Sequence, residues 1–251
     1  KDAVRRLAKG AVPGDAEAVE LLVARAGDSD QDVREAALEG LAKVATRGDA
    51  MAVSSVLKCL GDADEYVRRE AARSAGALCA PGDRQTIAAL VQCLRDDDSD
   101  LRDAVVEALA RIATEGRACA VEEVLPLLKE DTRHIRSAGL RALAHVAERG
   151  HELALSLALG VLSNDAEDAC RYRAAHAVGS LALPGDARAL AAVRRCIGWN
   201  APMDEDEDVR AAALETLAEV GVAGDAESAK AAAACLRDTC SEVRDTVPAA
   251  L

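Results

Sequence analysis

The sequence predicts an all-α fold, a right-handed α-solenoid of about seven stacked helix pairs of about 34 residues each. Three observations carry that prediction. A Gly-Asp dipeptide, or Gly with a polar follower, recurs at Gly14, Gly48, Gly82, Gly116, Gly150, Gly185 and Gly224, at intervals of 34, 34, 34, 34, 35 and 39 residues. An apolar-Arg pair recurs fifteen residues before each of these glycines from the second onward. The 251 residues are 50% hydrophobic yet hold no Phe, one Trp and two Tyr, so the apolar mass is small side chains suited to a thin core. A fixed period of this length is the mark of a repeat array, in which each unit buries its apolar face against its neighbours.

The units run, approximately, over 1–28 (partial), 29–62, 63–96, 97–130, 131–165, 166–204, 205–238 and 239–251 (partial), as a single solenoid. In the second unit Asp30 can cap a helix whose apolar residues Val33, Ala36, Ala37, Leu41 and Val44 recur at helical spacing. Gly48 suits the left-handed position after that helix, and Asp49 caps the next one at once. Val53, Val56, Leu57 and Leu60 form the stripe of the second helix. The same grammar recurs along the chain. Lys1–Val12 reads as a shortened first helix, and its Val4-Arg5 pair lies only ten residues before Gly14, out of register. The last unit stops at Leu251. Neither end shows a polar cap, which suggests a piece of a longer chain or ends covered by a partner.

The pattern Val67-Arg68-Arg69-Glu70-Ala71-Ala72-Arg73-Ser74-Ala75-Gly76 resembles the HEAT repeat, and with Arg171–Leu181 it is similar to the HEAT-like subtype of phycobilin-lyase-type proteins. Tetratricopeptide units need aromatics that this chain lacks, and the ankyrin T-P-L-H is absent. The resemblance covers essentially the whole chain. It implies an armadillo-like fold and a ladder between neighbouring units, made by Arg34, Arg68, Arg102, Arg136, Arg171, Arg210 and Arg244 with Asp28, Asp62, Asp96, Glu130, Asp165, Asp204 and Asp238. These acids lie five residues before each apolar-Arg pair. The resemblance also implies that the second helices line a concave face.

Charge and motifs narrow the function. There are 44 acidic against 31 basic residues, a net charge of -13, which disfavours nucleic acid and anionic membranes as partners. The longest uncharged stretch, Leu153–Asn164, is too short to span a bilayer. Eight Cys without a C-x-x-C pair point to a reducing, intracellular setting, soluble or assembly-bound. Cys59, Cys93, Cys196 and Cys235 share one register slot with Leu127 and Val161, Cys79 stands in an alanine slot, and Cys170 replaces the Val of an apolar-Arg pair, so these six read as core residues. Cys119 and Cys240 lie outside strongly apolar slots, and Cys240, in a loop, is the better candidate for a reactive thiol, with nothing nearby to activate it. His134, His145, His151 and His176 are scattered. His151-Glu152 is a single His-Glu pair, where HEAT-like hydroxylases build a di-iron site from several, and His151 falls in the slot of the capping Asp49. No nucleotide loop or nucleophile elbow occurs.

Two departures from the repeat single out a partner-binding region. First helices carry exposed charge. Second helices, away from their apolar stripe, carry far less: Ser54 and Ser55, Ala88 and Ala89, Ser156 and Leu157, and Ala191 and Ala192 fill comparable outward slots. The helix from 152 to 163 has no charge after Glu152, and Leu153, Ser156, Leu157 and Gly160 widen its apolar stripe. A helix apolar all round is buried somewhere, either by neighbouring repeats or by a partner. The 39-residue interval inserts Gly198–Met203, with the sole Trp199, before the acidic run 204–208. Trp199 either fills a gap between repeats or joins the interface. The reading is a non-enzymatic scaffold or adaptor without cofactor or metal, such as a subunit of a large assembly, binding another protein on its second-helix, concave face. The alternatives are a phycobilin-lyase-like, chromophore-handling protein and a HEAT-like metal hydroxylase.

Overall fold

The computed structural model describes residues 1–250, and the expected end of the last unit at Leu251 lies outside the described residues. All regular structure among them is helical. The chain divides into two compact units, Lys1–Glu123 and Val124–Leu251.

The first unit holds α1 (Asp2–Gly10), α2 (Ala16–Arg25), α3 (Gln31–Val44), α4 (Ala50–Cys59), α5 (Glu65–Leu78), α6 (Arg84–Cys93), α7 (Ser99–Ile112) and nearly all of α8 (Arg117–Val124). The second holds α9 (Arg133–Val146), α10 (Glu152–Asn164), α11 (Asp168–Leu181), α12 (Ala187–Cys196), α13 (Glu207–Val220), α14 (Ala226–Ala234) and α15 (Ser241–Ala250). Full first helices are 14 residues long, and α1 has 9. Val4 of α1 is buried, but Arg5 pairs sideways with Glu39 at 3.7 Å, so Val4-Arg5 is not in the register of the other apolar-Arg pairs.

The local sequence explains the element ends. Asp49 accepts hydrogen bonds from the Met51 and Ala52 N–H groups, and Asp15, Asp83, Asp186 and Asp225 cap their helices in the same way. Before each cap, Gly14, Gly48, Gly82, Gly150, Gly185 and Gly224 take φ between +75° and +89°, where a Cβ is disfavoured. Gly116 departs from the expected series and is not left-handed. A Cβ there would meet Gly82 Cα at 2.8 Å and Ile87 Cδ1 at 3.0 Å, so its glycine serves close backbone approach. The second helix expected in 97–130 is also broken: α8 stops at Val124 and Leu125–Lys129 is a 3-10 segment with Pro126 at its start. Proline has no N–H to continue an α-helix, and the division between the two compact units falls here.

Packing follows a rule that the chain order hides. Within each unit the first helices lie side by side, α3 on α5 and α5 on α7, then α9 on α11 and α11 on α13. Each second helix packs chiefly on the first helix of the following pair: α2 on α3, α4 on α5, α6 on α7, α10 on α11 and α12 on α13. The glycine N–H groups tie successive pairs together, donating to the last carbonyl of the next first helix: Gly14 to Val44, Gly48 to Leu78, Gly82 to Ile112, Gly150 to Leu181 and Gly185 to Val220, all at 2.6–2.7 Å. The core between the layers is Leu38, Leu41, Leu78, Ile87, Leu101 and Ile112 in the first unit, and Leu140, Leu143, Val178, Leu181, Val209 and Leu217 in the second.

Candidate partner-docking surface

The repeated arginines lie at the edge where a second helix turns into the next first helix. Arg34 donates from Nε and Nη2 to both oxygens of Asp62 at 2.8 and 2.7 Å, and from Nη1 to the carbonyls of Asp28 and Ser29 at 3.0 and 3.2 Å. Arg136 forms the same fork on Asp165, Arg171 on Asp204 and Arg210 on Asp238, at 2.7–2.9 Å. Each of these acids also accepts the N–H two residues on, from Asp64, Glu167, Asp206 and Cys240 respectively. One guanidinium thus joins a carboxylate 28 to 33 residues away to two carbonyls of its own turn, which is the bidentate geometry that Arg and not Lys supplies.

Other rungs differ. Arg68 reaches Asp96 Oδ1 at only 3.3 Å, and its Nε, 3.1 Å from Oδ2, is misaligned and unsatisfied. Arg102 and Arg244 donate Nη1 to the carbonyls of Asp96 and Asp238, each at 2.7 Å. Asp28 pairs with Arg25 at 3.1 Å. Glu130 supplies its carbonyl to Arg136 at 2.9 Å. Burial opposes ionisation of Asp62 and Asp165, but the Arg hydrogen bond and the loop N–H outweigh it and hold both carboxyls below their ordinary range. For Asp238 the Arg210 hydrogen bond is the leading cause of the same downward shift.

Helix α10 presents a different surface. Ala154, Leu155, Ala158 and Leu162 are its buried stripe, packed chiefly on α11. Leu153 is 55% exposed, Ser156 and Gly160 are exposed, and Leu157 is half-buried. A Cβ on Gly160 would meet nothing within 4 Å. These four residues therefore form one outward band that the second unit leaves largely uncovered. His151 caps the helix, its Nδ1 accepting the Ala154 N–H at 3.3 Å, where five of the equivalent slots hold Asp.

The inserted loop sits beside the end of α10. Gly198 and Asn200 both take left-handed backbone, at φ +83° and +59°. The Trp199 N–H donates to the Arg194 carbonyl at 2.9 Å, its ring is half-buried, and its Nε1 is buried with no acceptor among the described residues. Met203, 53% exposed, faces a groove of about 370 Å³ that is also lined by Leu162, Asn164, Ala192, Arg195 and Cys196. Arg195 does not stand out in the sequence, and Met203 does so only as the last residue of the inserted segment, yet both line this groove. The signal for Arg195 was in the register, since it holds the slot of Gly160.

The remaining candidates are structural in their contacts. All eight cysteines are free thiols. Burial pushes Cys93 and Cys196 up to about 11, out of the reactive range. Cys119, which lies outside a strongly apolar slot, is nevertheless buried, while Cys240 is half-exposed. His176 stacks edge-on against Tyr172, with ring centroids 4.7 Å apart. Among the described residues no three His, Cys, Asp or Glu side chains gather as a metal site. No helix among them is long and apolar enough to cross a membrane.

Comparison with known proteins bears on the fold. No curated protein matches the sequence. The X-ray structure of the protein YIBA of E. coli is similar at 15% identity and a TM-score of 0.57, over 99% of this chain and 85% of that one. The crystal structure of an engineered protein is similar at 21% identity and a TM-score of 0.50, over 99% of this chain and 72% of that one. A designed armadillo repeat protein, solved with a (KR)4 peptide, is similar at 20% identity and a TM-score of 0.43, over 92% and 97%. The family model described as HEAT repeats matches residues 2–75, 19–110 and 53–144, which together span more than half of the chain. Nothing distinguishes the phycobilin-lyase-type subtype, and at the level of the repeat itself the chain belongs to the HEAT-repeat family.

Proposed function

We propose that the chain is a non-enzymatic scaffold or adaptor that binds another protein along its second-helix face. The observation that carries this reading is the outward band of α10, where Leu153, Ser156, Leu157 and Gly160 are uncharged and largely uncovered in a protein that is 30% charged. Exposed apolar bands of this kind mark interaction sites. Met51, 48% exposed, with Ser54 and Ser55 on α4 gives the first unit a comparable surface. The net charge of -13 directs the reading away from nucleic acid, and repeat arrays bind by many points of contact along a surface. The free thiols fit a reducing compartment.

The test compares the proteins captured from the native source by the wild-type chain and by Leu157→Glu. Leu157→Glu is expected to lose partners that the wild type holds, with an unchanged helical circular-dichroism signal. Identical capture by both overturns the docking face.

A further inference from the structure

The second helices align slot by slot. Counting from the shared Cys position, the outward slots Leu153, Ser156, Leu157 and Gly160 of α10 correspond to Arg188, Ala191, Ala192 and Arg195 of α12, and to Met51, Ser54, Ser55 and Lys58 of α4. α10 and α12 touch in the second unit, so their outward slots bring the small residues Ser156, Gly160, Ala191 and Ala192 to one face beside Leu153 and Leu157. Small residues let a second backbone approach closely, and the space above Gly160 is open.

The two arginines of α12 in this band are not equivalent. Arg188 is answered inside the protein, by Glu152 at 2.9 Å and Asp186 at 3.3 Å. The neighbouring Arg194 is also answered, by the Leu190 carbonyl at 3.1 Å and by Glu227. Arg195 is exposed, and its side chain makes no hydrogen bond or ion pair among the described residues, although it lines the groove with Leu162, Ala192, Cys196 and Met203. On the groove floor Arg171 and Asp204 satisfy each other. Glu205, on the far lip, has a side chain 90% exposed and lies 4.0 Å from Arg171, not on Arg195. The Arg195 side chain is thus the one guanidinium of α12 without a carboxylate or carbonyl partner among the described residues, next to the uncharged band of α10.

We propose that the α10–α12 face takes an amphipathic helical segment of a partner protein, with an apolar stripe against Leu153, Leu157 and Ala192 and a carboxylate paired with Arg195. The proposal rests on the docking reading above and adds the chemistry of the partner. The apolar stripe supplies most of the affinity, and the ion pair, exposed on one side, fixes direction and discriminates by charge.

The test uses three fluorescent helical peptides with the same leucines at i, i+3 and i+7 and with Glu, Gln or Lys at the flanking positions, titrated against the full chain by anisotropy. The Glu peptide is expected to bind about 2- to 5-fold more tightly than the Gln peptide and the Lys peptide more weakly, a difference that shrinks at high salt. Arg195→Glu, an exposed substitution that leaves the fold intact, is expected to invert that order. Leu157→Glu is expected to weaken all three at least about 10-fold. A wild-type preference for the Lys peptide, or an order unchanged by Arg195→Glu, overturns the acidic partner while loss of binding in Leu157→Glu keeps the docking face. Equal binding to Leu157→Glu, or no binding of the Glu peptide at all, removes both. Dimerisation of the wild type in sedimentation, abolished by Leu157→Glu, assigns the face to a second copy and likewise overturns the proposal.

Discussion

At the edge between a second helix and the next first helix, Arg34, Arg136, Arg171 and Arg210 make the same fork on an acid that makes the same turn. On the second-helix face the outward slots change at every repeat, from Met51 and Lys58 to Leu153 and Gly160 to Arg188 and Arg195. A residue whose partner lies in the next repeat is fixed by the array's own geometry. A slot whose neighbours leave it uncovered is free to be chosen for something outside the array. Repeats that share one backbone rule thus differ at their uncovered slots, and the place to look for function is where the repeat stops repeating.

That contrast predicts a ranking of effects. Replacing Arg210 with Met strands Asp238, whose side chain is only 4% exposed, and should cost about 3–5 kcal/mol in urea denaturation. The misaligned, more exposed Arg68 should cost less, and equal costs would break the link between fork geometry and stability. Acid acts on the same rungs. Asp62, Asp165 and Asp238 have folded values below the unfolded one, so their contribution is complete above the ordinary carboxylate value of 3.8 and is lost as pH falls through the lower folded values. Stability measured from pH 7 downward should hold until about pH 4 and then fall, and Asp238→Asn should flatten that fall. Gly116→Ala forces a contact of 2.8 Å with Gly82 and should cost about 1–3 kcal/mol. His151→Asp introduces the carboxylate cap of five other repeats and should raise thermal stability by roughly 0.5–1 kcal/mol, since an anion also suits the helix start. Least of all, Leu157→Glu should change stability by less than about 1 kcal/mol while removing the partner. A large loss of stability there would show that the band belongs to the core.

The repeat made the helices and their caps legible, because Gly48-Asp49 or Asp30 encodes its turn within a few residues. The breaks were harder to read. Gly116 follows the sequence rule but not its backbone, since Gly82 lies against it from the previous repeat. Pro126 was visible as a residue, but that it converts half of a second helix into a tighter turn depends on packing. Leu153 and Leu157 read equally as core or contact until the exposure above Gly160 was known. Arg195 shares its charge with thirty other cations, and only the pairing of Arg188 and Arg194 with neighbouring carboxylates marks it as the one left over in its helix.

The glycine amides that bridge successive pairs have a use as reporters. Gly14, Gly48, Gly82, Gly150 and Gly185 each donate to a carbonyl of the next first helix, so the exchange rate of each amide with solvent deuterium reads the separation of one particular junction. Five protons spaced along the sequence thus form a built-in gauge of where the array opens first. At Gly116 the amide turns back to Ala113 instead, at 3.1 Å, and its exchange reports a local turn.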